Sequence, residues 1–180
     1  MSDIKEEYLG GYRKDTISNP EYFMEMAKLT ARRSPDPSTQ VGACFAKKGK
    51  LLSVGYNCPP EGWDYDKFPF GNDSKTIGLE NTKYPYINHA EYMGVINSGK
   101  SAKLKNATCY VTLFPCPECA KIMAACQIKR LVYIDRRLPS TEIDPAEQTL
   151  KNCGIEFVQY DDYVKEYEKK KTLKKKKGED

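Results

Sequence analysis

Residues that bind transition metals are concentrated in two short segments, NHAEYMG and PCPEC. The first contains His89, the only histidine of the chain, followed two positions later by Glu91. The second contains Cys116 and Cys119, whose C-x-x-C spacing lets two thiolates reach one metal ion from a single turn of chain. Neither segment is decisive by itself. A histidine can simply begin an amphipathic helix, and C-x-x-C is also typical of redox pairs, half zinc ribbons and buried cysteines.

The pattern becomes specific when the two segments are combined. His89, Cys116 and Cys119 supply three ligands and leave the fourth position of a tetrahedral zinc ion for water, which is the arrangement of a catalytic site. Zinc lowers the pKa of a bound water to about 7. Glu91, next to a ligand, can then take the proton of that water and hand it on. The order H-A-E followed by P-C-x-x-C is typical of zinc-dependent nucleobase deaminases.

A closed structural zinc site is the main alternative, because Cys109 and Cys126 flank the C-x-x-C pair. Cys109 falls inside a predicted strand, and Cys126 lies two helical turns beyond Cys119, so we expect both to be buried small side chains. A zinc-stabilised interaction module without turnover is a second alternative. An interaction module would not explain why a carboxylate, Glu91, lies beside the ligands, because a structural site does not need a proton carrier.

The elements that must position these residues follow from apolar periodicity and turn residues. In chain order we predict a helix over 20–33, a hairpin of strands over 41–46 and 51–56, an ordered loop over 57–86, a helix over 88–98, a strand over 108–112, a helix over 116–126, a strand over 130–134, a helix from 144 to about 153, and a strand over 155–158.

A hairpin followed by helix–strand units predicts an α/β fold of three layers, α/β/α. Its mixed five-stranded sheet is mostly parallel, with helices on both faces. His89 and Cys116 then begin two helices at the same edge of the sheet. The positive ends of both helix dipoles favour thiolates at that edge.

Length and charge predict one folded domain with two appendages. We assign residues 1–18 to an irregular N-terminal segment, 19–160 to the folded domain and 161–180 to a lysine-rich tail. The net charge is +4, but residues 169–177 hold seven lysines and no acid, which leaves −3 for the remainder. Such a run is typical of a solvated, disordered end, and less often of a nuclear-import or polyanion-binding patch.

The composition also bears on location and partners. No apolar stretch is long enough to span a bilayer, and the N-terminus has no apolar leader, so we expect a cytoplasmic protein, with nuclear import through the lysine run as the alternative. The seven cysteines then indicate reduced thiols rather than a disulfide framework. Nucleic acid is not an expected partner, because the folded domain is slightly acidic.

Four segments carry a resemblance to a known family. SPDPSTQVGA precedes the first strand as in that family, GYNCPPEG resembles its G-Y-N-G-x-P-x-G, TKYPYINHAE its T-K-Y-P-Y-x-x-H-A-E, and LFPCPECAK its L-F-P-C-x-E-C-A-K. From about residue 20 to 160 the chain resembles the deoxycytidylate (dCMP) deaminases of the cytidine deaminase superfamily. The resemblance implies a cytidine-deaminase-like fold and hydrolysis of dCMP to dUMP and ammonia, which supplies thymidylate synthesis. The alternative is the same chemistry on dCTP, cytidine, or a cytosine or adenine base in nucleic acid.

The resemblance also implies roles for individual residues. His89, Cys116 and Cys119 would bind Zn²⁺, and Glu91 would protonate N3 of cytosine during attack at C4. The backbone amide of Ala90 would contact the carbonyl of the base. A homo-oligomer is expected, as is usual in the family.

Contacts to the rest of the nucleotide are assigned to other segments of the chain. Asn57 would bind the base–sugar portion, the alternative being a turn-forming asparagine. Arg136 and Arg137 follow the fourth strand at the carboxyl edge, where such sheets bind ligands, and are candidates for the phosphate. The alternative is a solvated pair of surface charges. The family's long loop binds effectors, which implies dCTP or dTTP, with Mg²⁺, near Asn57, Pro60 and Gly62.

The chain departs from the family pattern in three places. Cys58 stands where the family usually has glycine, which puts effector control in doubt more than catalysis. The residues after Glu91 are Tyr-Met-Gly at 92–94 rather than the family's [LM]-N-A, so a pocket wall or subunit contact is expected to differ. Leu138 replaces a common aromatic residue.

Overall fold

The computed structural model of the chain describes residue 13, residues 15–137 and residues 144–177. Each predicted helix and strand has a counterpart in these ranges, with ends that differ by a few residues. The elements in chain order are α1 (Asn19–Ala31), β1 (Gly42–Lys47), β2 (Lys50–Tyr56), α2 (Ser74–Ile77), a 3₁₀ turn (Leu79–Asn81), α3 (Ala90–Asn97), a second 3₁₀ turn (Ser101–Leu104), β3 (Thr108–Leu113), α4 (Pro117–Ala125), β4 (Arg130–Asp135), α5 (Pro145–Asn152), β5 (Glu156–Gln159) and α6 (Tyr160–Lys177).

The five strands form one mixed sheet in the order β2-β1-β3-β4-β5. β1 is antiparallel to β2 and β3, whereas β3, β4 and β5 are parallel. Thr108, Arg130 and Glu156 lie opposite one another, so the three parallel strands begin at one edge of the sheet and end at the other. The predicted mixed five-stranded sheet is confirmed, with two antiparallel and two parallel pairings.

Helices cover both faces of the sheet, because alternate strand residues point to opposite sides. Phe45 and Leu131 belong to the core cluster under α3, α4 and α5. Their chain neighbours Cys44 and Val132 belong to a second cluster on the other face, together with Phe23 of α1. This arrangement confirms the predicted three-layer α/β/α fold.

Local sequence explains how α1 and the hairpin are placed. Ser18 and Glu21 form a capping box at the start of α1, in which each side chain accepts a hydrogen bond from the backbone amide of the other residue. In the hairpin, Lys48 and Gly49 have φ angles of +51° and +73°. Two successive left-handed residues make the tight turn that joins antiparallel strands.

The C-terminal segment differs from the predicted tail. The structure has a helix, α6, over Tyr160–Lys177, which includes the lysine run at 169–177 that was expected to be a solvated, disordered end. Tyr163 is partly buried against the sheet, with its ring 6.2 Å from that of Tyr110, and Arg130 lies over the Tyr163 ring. The first turns of α6 therefore pack on the domain. In the described ranges, no helix is long and apolar enough to cross a membrane.

Two other predictions fall at or beyond the limits of the structure. The irregular segment over 1–18 lies outside the described residues apart from 13 and 15–18, which are in neither helix nor strand. Leu138 also lies outside them.

The long loop over 57–86 is ordered around packed aromatic rings, with Trp63 5.1 Å from Phe68 and 5.3 Å from Tyr86 between ring centroids.

Candidate active site

His89 and Cys116 occupy equivalent places in two helices. Each is the N-cap residue, His89 of α3 and Cys116 of α4, and each has an extended backbone. An N-cap side chain usually accepts a hydrogen bond from a first-turn amide, but neither of these side chains does so. Both side chains are therefore free for another role. Because β3 ends just before Cys116, this residue lies at the same edge of the sheet as the start of α3.

The three predicted metal ligands converge at this edge. His89 Nδ1 lies 3.2 Å from Cys116 Sγ and 3.5 Å from Cys119 Sγ. The ligand atoms of all three residues are within 4.8 Å of one another. Tetrahedral zinc, with its usual bond lengths to sulfur and nitrogen, separates two such ligand atoms by about 3.5 Å. The donor set and its spacing therefore fit a zinc ion.

The flanking cysteines do not join this cluster. Cys109 is fully buried in β3, and Cys126 is buried at the end of α4. Among the residues that the structure describes, no group of metal-binding side chains includes either of them. The site therefore has three protein ligands, and the alternative of four thiolates is not supported.

Electrostatics within the cluster favour a thiolate at its more open position. A hydrogen bond from the Cys119 thiol, followed by one from His89, lowers the pKa of Cys116 to about 3. The same contact with Cys116, together with burial, raises the pKa of Cys119 well above its usual range. The hydrogen bond to Cys116 raises the pKa of His89. The pair of sulfurs therefore shares a proton that a bound cation would displace.

Glu91, two residues after the ligand His89, is a buried carboxylate beside the cluster. Its exposure is 3%, in the first turn of α3. Burial is the main cause that raises the pKa of Glu91, opposed by a backbone hydrogen bond and by His89. A raised pKa makes this carboxylate a better proton acceptor than an exposed one, which suits a proton carrier.

A cavity of about 290 Å³ opens beside these residues. Four of the predicted nucleotide contacts line it, namely Asn57, Ala90, Arg136 and Arg137. Ala90 is the first residue of α3, so its amide belongs to the helix start, where backbone donors have no partner within the helix. Pro60 and Gly62 do not line this cavity.

Asn57 is held rigidly by its neighbours. Its Oδ1 accepts a hydrogen bond from the Val41 amide at 2.8 Å, and its Nδ2 donates to the Thr39 carbonyl at 2.9 Å and to Asp36 Oδ2 at 3.3 Å. Both donor hydrogens of the amide are thereby used, which leaves one acceptor position on Oδ1. The residue is 5% exposed.

A buried ion pair supports Asn57, and sequence reasoning missed it. Lys83 Nζ lies 2.5 Å from Asp36 Oδ2 and 2.6 Å from Ser38 Oγ, and both charged residues line the cavity. Burial raises the pKa of Asp36, but hydrogen bonds from Lys83, Ser38 and Thr39 outweigh it, and the net pKa is lowered. Lys83 lies in the predicted ordered loop, and both segments carry the family resemblance, but no contact between them was predicted. The Ser-Pro-Asp-Pro-Ser run could have signalled a turn built around the aspartate.

The two arginines have different surroundings. Arg136 donates to Asp144 at 3.1 Å and to Glu147 at 2.6 Å, and its guanidinium lies 4.5 Å from the centre of the Phe114 ring. A phosphate would have to compete with two carboxylates for it. Arg137 is exposed at the cavity and has no ion pair with any residue in the described ranges.

The departures from the family pattern have local explanations. Cys58 forms an isolated antiparallel bridge with Asn88 and does not require the left-handed conformation of a glycine. It does not line the cavity. Gly94 lies against the core, and a Cβ there would be 2.4 Å from Cε2 of Phe45. A family-type alanine at 94 would clash with this ring.

Comparison with known proteins gives the same result as the geometry. A family model for the cytidine and deoxycytidylate deaminase zinc-binding region matches residues 17–135. The deoxycytidylate deaminase of Mus musculus is 40% identical over 159 residues, which are 87% of this chain and 85% of the mouse protein. That of Homo sapiens is 38% identical over 147 residues, 81% of each chain. The dCMP deaminase of the cyanophage S-TIM5, in crystals with dCMP and dUMP, has a TM-score of 0.60 and 24% identity over 77% of this chain and 94% of its own.

The fold, the His/Cys/Cys cluster and the buried glutamate define a zinc-dependent hydrolytic deaminase. The chain belongs to the cytidine and deoxycytidylate deaminase family. The family predicted from the sequence is thereby confirmed.

Proposed function

We propose that this chain hydrolyses dCMP to dUMP and ammonia, supplying dUMP for thymidylate synthesis. The observation that carries the proposal is the buried Glu91 beside a three-ligand metal site, at a cavity that other nucleotide-binding candidates also line. The deoxycytidylate deaminases among the relatives support dCMP as the substrate.

Each residue at the metal site has a defined part in this chemistry. His89, Cys116 and Cys119 would hold Zn²⁺, which supplies the Lewis acidity that activates water at neutral pH. Glu91 removes one proton from the attacking water and delivers it to N3 of the base, where it stays in the product. Glu91 then takes the second proton from the hydroxyl on C4 as the carbonyl forms, and delivers it to the amino group, which leaves as ammonia. Because its pKa is raised by burial, Glu91 can hold each proton before it is delivered.

The base and the sugar are positioned by groups fixed in advance. The amide of Ala90 donates to the carbonyl at C2 of cytosine. The remaining acceptor position of Asn57 Oδ1 receives a hydrogen bond from a sugar hydroxyl, because both donors of this side chain are already used. Asp36 and Lys83 keep Asn57 in that orientation.

The phosphate is recognised by Arg137. Its charge is exposed at the cavity, whereas that of Arg136 is compensated by Asp144 and Glu147. Arg136 instead ties α5 to the end of β4, where it supports the wall of the cavity.

A substrate comparison tests the proposal. Purified protein with zinc is given dCMP, deoxycytidine, CMP, dCTP and a cytosine-containing oligonucleotide, and deamination is followed by ultraviolet difference. A charge-assisted hydrogen bond contributes about 1.5–3 kcal/mol, so kcat/KM for dCMP should exceed that for deoxycytidine by roughly 10- to 100-fold. Equal values for the two substrates, or a preference for dCTP or the oligonucleotide, would overturn dCMP as the substrate.

We further propose control by dCTP and dTTP, with Mg²⁺, through the loop that carries Pro60 and Gly62. The bridge between Cys58 and Asn88 connects this loop directly to the residue before His89, which supports a route from effector to metal site. Measuring dCMP turnover with each triphosphate, with and without Mg²⁺, tests this. Unchanged turnover in every case would refute the control.

We also propose a homo-oligomeric assembly. Tyr92 and Ile96, one turn apart on α3, are 40% and 54% exposed, and such an apolar pair supports a homo-oligomer. Sedimentation of wild type and Tyr92→Lys tests this assembly, and a monomeric wild type would refute it. A cytoplasmic location, or a nuclear one through the lysine run, stays a prediction to be tested by imaging a tagged chain.

A further inference from the structure

The edge of the sheet opposite the active site is strongly basic. The parallel strands begin there, and the β1–β2 turn lies at the same edge because Ala46 pairs with Thr108. We define the basic edge as residues 47–50, 100–107, 126–130 and 151–156. β3 separates it from the active site by about 17 Å, at about 3.3 Å per residue.

The charge of this edge is opposite in sign to that of the rest of the molecule. Its four segments contain nine lysines and arginines and one acid, Glu156. They carry +8, whereas the whole chain carries +4, so everything else sums to −4 even with the lysine run included. The slightly acidic net charge of the domain, on which the expectation against nucleic acid rests, averages over this separation of positive and negative charge.

Most of these cations are not neutralised locally. Arg130 pairs with Glu156, and Lys151 pairs with Glu147. The remaining seven lysines of the basic edge have no ion pair with any residue that the structure describes. The start of α1 comes close to the turn, but the carboxylate of Glu21 there accepts a hydrogen bond from the Ser18 amide.

A groove of about 830 Å³ runs into the basic edge. Lys47, Lys48 and Lys129 line it, together with Asn106 and Gln127, and no acid does. The backbone amides of Asn106 and Gln127 already donate within the protein, so side chains supply the polar groups for a ligand. A concave basic groove fits a chain of phosphates better than the flat surface of a membrane.

Helix α6 extends the same surface. Tyr163 lies beside Arg130, at the start of β4. Arg130 is the main cause that lowers the pKa of the Glu156 carboxyl, and Lys170 is close enough to lower it further. The helix therefore runs back from the end of β5 to the basic edge. The lysines at 169–171 add to the cations already there.

We propose that the basic edge binds the phosphate backbone of a nucleic-acid strand, at a surface separate from the deaminase site. The four segments contain no aromatic residue, so there is no platform on which bases can stack. Binding is consequently independent of base sequence and governed by release of counterions from phosphates. The strand is a partner and not a substrate, because the reactive cavity opens at the other edge.

The experiment measures fluorescence anisotropy of a labelled single-stranded thymidine oligonucleotide of about 12 nucleotides with the full chain. If about four lysines contact phosphates, the slope of log K against log salt is about −3, and binding weakens by roughly 50-fold from about 50 to about 200 mM salt. Saturating dCMP should leave binding unchanged. Inorganic polyphosphate should compete, since it presents the same linear array of phosphates.

Two triple variants with the same change in charge separate the basic edge from general electrostatics. Lys47→Gln, Lys48→Gln and Lys129→Gln together should weaken binding at least about tenfold and reduce the salt slope by about 2. Lys28, Lys67 and Lys165, which pair with nearby carboxylates away from this edge, serve as the control when all three are changed to Gln. The control should bind within about threefold of wild type. Thermal unfolding and dCMP turnover verify that both variants are folded.

Several results would overturn the proposal. These are no binding by wild type, equal losses in the two triple variants, or displacement of the strand by dCMP. Loss only when lysines 174–177 are changed to Gln would assign binding to the end of the helix instead of the basic edge. Tighter binding to vesicles containing phosphatidylserine than to the oligonucleotide would indicate a membrane partner.

Discussion

Replacing Glu91 by Gln tests the assigned proton carrier without changing the shape of the site. Glu91 is 3% exposed, so the amide must occupy the same enclosed space. The other carboxylates at the cavity, Asp36 and Asp144, are both held in ion pairs and cannot substitute for it. Proton transfer by a positioned group contributes about 10²–10⁴-fold. Because no replacement is within reach, we expect a loss of about 10³–10⁴ in kcat, which corresponds to about 4–5.5 kcal/mol.

The same variant should fold normally. Burial raises the pKa of Glu91, which means that the folded protein favours the neutral form of this side chain. A neutral Gln therefore removes the cost of burying a charged group, and the free energy of unfolding should be unchanged or slightly higher. Zinc content should also be unchanged, because Glu91 is not among the three ligands.

The assay is dCMP turnover by ultraviolet difference, with zinc measured by elemental analysis of the same preparations. Glu118→Gln is the matched control, since Glu118 lies between the two cysteine ligands, pairs with Lys121 and has a side chain 75% exposed. It should retain activity within about threefold, because an exposed ion pair contributes little. An E91Q protein that kept its zinc and lost less than about tenfold in kcat would refute the assigned role.

Three further predictions concern the surroundings of the site. Asp36→Asn leaves Lys83 buried without its counter-ion and should lower the free energy of unfolding by about 3–5 kcal/mol in urea titrations. The folded pKa of Asp36 is lowered, so its stabilisation is present above the unfolded pKa and is lost as pH falls through the folded value. Wild type should therefore lose stability in acid more steeply than the variant. Arg137→Gln should raise KM for dCMP by roughly tenfold or more but leave deoxycytidine kinetics unchanged. Gly94→Ala should cost about 1–3 kcal/mol of stability, because the added Cβ meets the Phe45 ring.

Each of these has a matched comparison. Asp66→Asn, in the exposed loop, controls for removal of a carboxylate, and an equal effect of the two Asp substitutions would contradict the buried pair. A parallel rise in KM for deoxycytidine would show that Arg137 does not act on the phosphate. For Gly94, the comparison is Gly99→Ala, whose φ of +70° strains the backbone without any contact. A G94A protein as stable as wild type would mean that Phe45 can move aside.

The sequence predicted the metal site well because its chemistry is local. His89, Cys116 and Cys119 lie at helix starts, and their types and spacing are set by the ion rather than by distant packing. The sheet was predictable for a similar reason, since strand and helix periods alternate clearly from residue 88 onward. Predicting the zinc ligands therefore required only the order of the helices and strands, and not their exact ends.

The parts that were missed depend on contacts between distant segments. Lys83 and Asp36 are 47 residues apart, and no period or spacing connects them. The carboxylate partners of Arg136, Asp144 and Glu147, were also not predicted, because they reach it only when α5 packs beside β4. The packing of Tyr163, which anchors the start of α6 to the sheet, was also not predicted, because the composition of the tail shows only its lysines.

The number and kind of ligands around the bound metal test the account most directly. X-ray absorption at the zinc edge of the purified protein should show two sulfur ligands at about 2.3 Å and two nitrogen or oxygen ligands at about 2.0–2.1 Å. Elemental analysis should find one zinc per chain, lost in Cys116→Ser. Four sulfur ligands, or full dCMP turnover by protein that contains no transition metal, would contradict an open zinc site built from His89, Cys116 and Cys119.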